Sequence, residues 1–240
     1  MKGMKFSACL LSAALLFSGC SMNNKAKGGL IGGGGGAALG ALIGQLAGGG
    51  KGAAIGAGVG AAVGAGAGVL IGNRMDKAKA AAEQVENAQT EMLEDANTGL
   101  KYVKVTFDSG ILFPTSGSTL SASAQGSLTK FASTVLVPNQ DMDVAIIGYT
   151  DNVGWKNSTA AESVEKNKTL SLQRAQSVST YLISSGASAS QIKYVEGLGE
   201  ANPVASNATA EGQAQNRRVE VYMYASQAMI NAAQQQAGSN

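Results

Sequence analysis

The stretch Asp143–Tyr149, DVAIIGY, is apolar on both of its alternating faces. Val144 and Ile146 fall on one side; Ala145, Ile147 and Tyr149 fall on the other. A strand without a polar face must be central in its sheet and covered from both sides. It runs out at Gly148-Tyr149-Thr150-Asp151, and Asn152-Val153-Gly154 predicts a turn. A helical pattern follows, with Leu172, Ala175, Val178 and Leu182 three and four apart and Gly186 as the stop. Asp151 is thus expected at the end of a buried strand and Arg174 on the next helix, two opposite charges bordering one crevice. Such a pair could hold a zwitterion, with the guanidinium forking onto a carboxylate and the aspartate accepting from an ammonium. Spacing alone leaves plainer roles open: an Asx turn onto Val153 for Asp151, and a surface ion pair for Arg174.

Around this centre the pattern is mixed. Val103, Val105 and Phe107 alternate with Lys104 and Thr106, an amphipathic strand. Leu120, Ala124, Leu128, Phe131 and Val135 mark a helix capped by Ser121 and ended before Pro138. Ile192–Glu196 reads as a short strand, Gly197–Gln215 as a polar loop with a helical turn, and Arg218–Tyr224 as a strand turning Val219, Val221 and Met223 inward. The order strand, helix, strand, helix, strand, strand predicts an α+β sandwich with helices on one sheet face, over residues 100–226. Residues 227–240 read as a polar, frayed tail.

Five motifs stand in a fixed order: Gly148–Gly154, the Asn167–Val178 run followed by Tyr181-Leu182 and Gly186, Gly197-x-Gly199, Pro203, and Asn216-Arg217-Arg218-Val219-Glu220. Together they resemble the OmpA-like C-terminal domain, from about Val103 to Tyr224. The resemblance implies non-covalent binding of peptidoglycan in the bacterial periplasm. It implies that Asp151 and Arg174 hold the diaminopimelate of the stem peptide. Backbone N–H groups of Asn152 and Val153 are expected to assist, and Asn167 and Arg218 to brace the pocket. Sixteen positions separate Asp151 from Asn167, more than the family usually has, with the surplus near Trp155–Lys166.

The N-terminus carries an address. Lys2 and Lys5 precede a 12-residue apolar run, Phe6–Phe17, too short to span a bilayer. Phe17-Ser18-Gly19-Cys20 resembles the lipobox of bacterial lipoproteins, so residues 1–19 are expected to be removed and Cys20 lipidated. Several acyl chains on one cysteine would make a firm anchor, at ~0.8 kcal/mol per buried CH2. Ser21, not aspartate, resembles an outer-membrane sorting signal. Cys20 would be the sole cysteine of the mature chain, which excludes an internal disulfide. Loss of Lys2 and Lys5 from 18 basic residues leaves 16 against 16 acidic, so nothing in the charge favours nucleic acid.

After a short tether, residues 20–27, twelve glycines recur every fourth position from Gly28 to Gly72. Each costs a helix ~1 kcal/mol relative to alanine, a cost that makes sense only where backbones pack closely. The run resembles the glycine-zipper segments of envelope lipoproteins. Gly48–Gly52 divides it into Gly28–Ala47 and Ala53–Gly72, each long enough at ~1.5 Å per residue to cross ~30 Å of hydrocarbon. The expectation is a packed helical hairpin, in the membrane or in the periplasm. A flexible Gly/Ala linker is the alternative. Residues 73–99 then read as an exposed spacer helix with a thin stripe of Met75, Ala78, Ala82, Val85, Met92 and Leu93.

Catalysis finds little to work with. There is no histidine for a triad or a metal site, and the glycine run lacks the strand–loop–helix setting of a phosphate cradle. No cofactor or metal is expected. Two function classes remain. One is an outer-membrane lipoprotein that tethers the membrane to the wall. The other is a membrane-active or oligomeric envelope protein whose glycine hairpin is the working part.

Overall fold

The computed structural model describes residues 65–95 and 99–239. Cys20 and the glycine ladder from 28 to 64 lie outside them. The described chain forms helix α1 (Ala65–Ala82), strands β1 (Ala88–Glu94) and β2 (Lys101–Asp108), helices α2 (Ser109–Leu112) and α3 (Ala122–Phe131), strand β3 (Met142–Gly148), helix α4 (Ala160–Ser184), strand β4 (Ile192–Gly197), helix α5 (Ala210–Asn216), strand β5 (Arg218–Ala225) and helix α6 (Gln227–Gly238). The strands make one sheet in the order β1-β2-β5-β3-β4. All neighbours are antiparallel except β3 and β4, which are parallel and joined by the α4 crossover.

The two-faced strand sits where its composition requires. On one face Val144 and Ile146 join Val103, Val105, Phe107, Val219, Val221 and Met223 beneath the helices. Phe107 meets Phe131 of α3 edge-on at 5.6 Å between ring centroids. On the other face Ala145, Ile147 and Tyr149 join Tyr102, Tyr222 and Tyr224 in a smaller cluster. The α+β order predicted for residues 100–226 is present, with an additional strand and additional helices.

Two glycines set how close α4 lies. A Cβ on Gly148 would stand 2.1 Å from the Ser171 carbonyl oxygen, and one on Gly197 would stand 2.1 Å from the Leu172 nitrogen. Only bare backbone on β3 and β4 lets the middle of α4 rest directly on the sheet.

The sequence expectations fail at both ends of the domain. The predicted spacer helix over 73–99 is instead the second half of α1 followed by edge strand β1. Asn87, at φ 61°, turns the chain, and β1 pairs with β2 from Ala88↔Phe107 to Glu94↔Lys101. Its AQTEMLE composition favours a helix; the ladder to β2 overrides that preference. Nor is the apolar stripe solvated: Met75, Ala78, Ala82 and Val85 are buried in the main core, Met92 is half-buried against it, and Leu93 is half-buried on the tyrosine side. The last two turns of the predicted Ala53–Gly72 segment belong to α1, where Ala67 is also buried. The predicted frayed tail is helix α6, capped by Ser226 and burying Met229, Ile230 and Ala233. It lies against α1, and a Cβ on Gly66 would approach Ala237 Cβ to 3.0 Å.

Candidate functional site

The end of β3 builds the site. Beyond Gly148, Tyr149 N donates to the Arg218 carbonyl at 2.9 Å and Thr150 N to the Gly199 carbonyl at 2.8 Å. These two bonds pin the chain between β5 and the loop after β4, and they deliver Asp151 to the sheet's edge. Gly199 adopts φ +57°, a left-handed conformation suited to glycine, and its N–H donates to Ser171 Oγ of α4 at 2.9 Å.

Asp151 is buried. Its Oδ1 accepts from Val153 N at 3.1 Å, an Asx turn, and its Oδ2 accepts from Arg217 Nη1 at 2.5 Å. Arg174 is 3% exposed. Its Nε donates to the Gly117 carbonyl at 2.9 Å, and its guanidinium carbon lies 5.3 Å from the Phe113 ring centroid. Its Nη1 is buried without a hydrogen-bond partner. Burial, then the charge of Arg217, pushes its pKa down, while Asp151 opposes the shift. Asp151, Arg174 and Arg217 thus form one electrostatic group of net charge +1.

The other expected residues take different places. Asn167 clamps the loop below Asp151: its Nδ2 donates to the Val153 carbonyl at 3.2 Å, and its Oδ1 accepts from Trp155 Nε1 at 2.8 Å. The surplus residues near Trp155–Lys166 therefore close onto the site. A turn ends at Thr159, whose capping box with Glu162 starts α4 at Ala160. The Val153 amide, expected to meet a ligand, is already engaged by Asp151. Asn152 is exposed at the rim.

Arg218 faces the tyrosine side of the sheet. Its guanidinium carbon lies 3.8 Å from the Tyr149 ring centroid, and its Nε donates to buried Glu220 at 2.8 Å. Its Nη groups cap the Asn216 and Asn202 carbonyls at 3.2 Å each. It holds the β5 start to the loop.

Arg217 is the residue that sequence reasoning missed. It stood in the quoted Asn216–Glu220 run, but Arg218 was singled out. The signal was strand parity: adjacent residues at a strand's start face opposite ways, so only one of the two can reach Asp151. Among the described residues no cluster of His, Cys, Asp or Glu is placed to hold a metal.

The OmpA family matches residues 112–217, which include Asp151, Arg174 and Arg217. "Outer-membrane lipoprotein YfiB" of Pseudomonas aeruginosa is 33% identical over 141 residues, covering 59% of this chain and 76% of that one. The chain belongs to the OmpA family. A YMGG-like Gly-zipper matches residues 1–76, the glycine ladder included. "Probable lipoprotein YiaD" of Escherichia coli (strain K12) is 46% identical over 117 residues, 49% of this OmpA-family chain and 46% of YiaD. "Peptidoglycan-binding protein ArfA" of Mycobacterium tuberculosis (strain H37Rv) is 49% identical over 81 residues, 34% of this chain and 22% of ArfA. The chain thus spans less than half the length of these two relatives. Among solved structures, a MotB-like protein from Desulfovibrio vulgaris superposes with a TM-score of 0.52 at 21% identity, covering 67% of this chain and 95% of that one. That likeness is one of fold.

Proposed function

We propose that this chain is an outer-membrane lipoprotein, anchored through Cys20, that binds peptidoglycan non-covalently and so tethers the membrane to the wall. Its ligand is the stem-peptide diaminopimelate, which carries an ammonium and a carboxylate on one carbon. The observation that carries this reading is a buried arginine with an unpartnered Nη1 in one electrostatic group with a buried carboxylate and a second arginine. Leaving such a donor unpaired is costly unless a ligand completes it. The names of ArfA and YfiB support the partner and the compartment.

The chemistry divides by charge. A carboxylate has about four lone-pair sites, and Val153 N–H and Arg217 use two of those on Asp151. The remainder accept the ligand ammonium. The ligand carboxylate lies between Arg174 Nη1 and the free donors of Arg217, each of which carries a permanent charge. A wall with lysine in place of diaminopimelate would offer the ammonium alone.

Co-sedimentation of the full chain with purified sacculi tests the reading. Asp151→Asn and Arg174→Ala should each lose about 2–3 kcal/mol of binding, roughly 30- to 150-fold in affinity. Arg174→Lys should not rescue, because an ammonium cannot fork. Sacculi amidated at the diaminopimelate carboxylate should bind wild type poorly and distinguish little between wild type and Arg174→Ala. Variants that sediment like wild type would move the function away from this pocket and toward the glycine ladder.

A further inference from the structure

Arg174 is held by a turn that carries no charge. From Ser109 to Thr129 the chain has neither an acidic nor a basic residue. Within this stretch Pro114–Gly117 closes as a four-residue turn, with Gly117 N donating to the Pro114 carbonyl at 3.0 Å. Ser116 stands at its third position with φ 55°, where glycine or asparagine is usual. Gly117 has no room for a side chain, because a Cβ there would stand 2.9 Å from Pro114 Cγ. The base of the segment is tied as well. Phe113 N donates to the Ser109 carbonyl at 2.8 Å, and Ser121 N to the Leu112 carbonyl at 2.9 Å.

Two groups of this segment meet Arg174, and neither neutralises it. The Gly117 carbonyl accepts from Nε at 2.9 Å, and the buried Phe113 ring has its centroid 5.3 Å from the guanidinium carbon. A carbonyl dipole and a ring quadrupole attract a cation without cancelling its charge. An arginine that serves the fold alone is expected beside a carboxylate, because a buried charge is costly unless paired. Arg218, bonded to Glu220 at 2.8 Å, shows that arrangement in the same domain. Arg174 is different: Asp151, whose charge reaches it, is bonded to Arg217 instead. A guanidinium held at Nε and over a ring has its orientation fixed, while its charge and its unpartnered Nη1 remain for a ligand.

Resting on the function proposed above, we infer that Phe113 and the Pro114–Gly117 turn are positioning groups for Arg174. They fix its orientation without compensating its charge, and so set the preference of the site for a ligand with a free carboxylate.

Co-sedimentation of the full chain with native sacculi, and with sacculi amidated at the diaminopimelate carboxylate, reads this role as a ratio of two affinities. Wild type should prefer native walls by about tenfold or more. Phe113→Leu removes the ring and keeps an apolar filler; Gly117→Ala displaces the carbonyl through its contact with Pro114. Each should weaken binding to native walls about tenfold and change binding to amidated walls by no more than about twofold, so that the ratio collapses. Ser116→Gly is the control: glycine is relaxed at that φ, both contacts to Arg174 stay, and the ratio should be kept. A role in folding alone would lower the melting temperature and weaken binding to both walls alike, leaving the ratio unchanged. Phe113 is a core residue, so Gly117→Ala decides the matter if thermal melts show Phe113→Leu unfolded at the assay temperature. Folded variants that keep the wild-type ratio overturn the positioning role and leave the pocket standing. Wild type that binds both walls alike overturns the carboxylate reading itself, and the positioning role with it.

Discussion

Gly197→Ala couples fold to site most directly. Its new Cβ would stand 2.1 Å from Leu172 N, 2.5 Å from Leu172 Cα and 2.5 Å from Ser171 Oγ. Ordinary contacts begin near ~3.5 Å, so α4 must lift by roughly 1 Å or more. Backbone cannot step aside as a flexible side chain can. Overfilling of this kind costs about 1–3 kcal/mol. The lift also stretches two bonds that are now 2.9 Å, Gly199 N to Ser171 Oγ and Arg174 Nε to Gly117 O. Each buried bond lost adds about 1 kcal/mol. The total, about 3–5 kcal/mol, is a large share of the ~5–15 kcal/mol that holds a domain together. Urea unfolding followed by circular dichroism should show a lower midpoint at unchanged slope. Sacculus binding at low denaturant should fall as well, because Arg174 rides on the displaced helix. Gly126→Ala is the control: nothing lies within 4 Å of its Cβ in α3, so it should gain about 0.5–1 kcal/mol. A Gly197→Ala protein as stable and as adhesive as wild type would refute the close-packing argument.

Arg217→Ala should weaken sacculus sedimentation about tenfold or more, since Asp151 loses its partner and the ligand carboxylate loses a cation; binding equal to wild type would remove Arg217 from the site. Deleting residues 227–240 should cost about 3–6 kcal/mol from the burial of Met229 and Ile230 alone, read as a lower melting temperature. In alkali, the tyrosine face should fail cooperatively. Burial, then the charge of Asp95, pushes Tyr102 up to about 12, and burial also raises Tyr149, Tyr222 and Tyr224. A folded pKa above the unfolded ~10 means that this stability is full below pH 10 and is lost as pH rises through about 12. Tyrosinate absorbance should therefore appear together with unfolding; titration near pH 10 with the fold intact would contradict the burial.

Legibility followed the range of the signal. The strand at 142–148 announced itself because residues on both of its faces are apolar, and α4 because its spacing is helical. Residues 88–94 were misread because alanine, glutamine, glutamate, methionine and leucine prefer helices locally. Only the ladder to β2, a non-local fact, makes them a strand. Helix α6 was missed for a related reason: Met229, Ile230 and Ala233 form a stripe too thin to stand out in a polar segment, and their partner α1 is more than 140 positions away. The site divided the same way. Asp151 and Arg174 follow from local patterns at a strand end and on a helix. The Asp151–Arg217 pair follows from β3 and β5 being antiparallel neighbours, with Gly148 opposite Val219 just before the two chains part.

The two halves of the proposed ligand should not matter equally, and the reason lies in the unliganded site. Asp151 already accepts two hydrogen bonds, one from a cation. An arriving ammonium adds to a satisfied group, so its gain is the modest net value of another charge-assisted bond, about 1.5–3 kcal/mol before its own desolvation. Arg174 stands differently. Its desolvation is already incurred on folding, and its Nη1 has nothing to bond in return. A carboxylate reaching that donor relieves a cost built into the fold and meets a second arginine as well. Binding measures only the difference between free and bound states, so the group that finds an unsatisfied partner gains more than one that joins a satisfied partner. Amidating the diaminopimelate carboxylate should therefore weaken sedimentation more than acetylating its amine does. Equal losses would mean that Arg174 Nη1 is not where the ligand carboxylate binds.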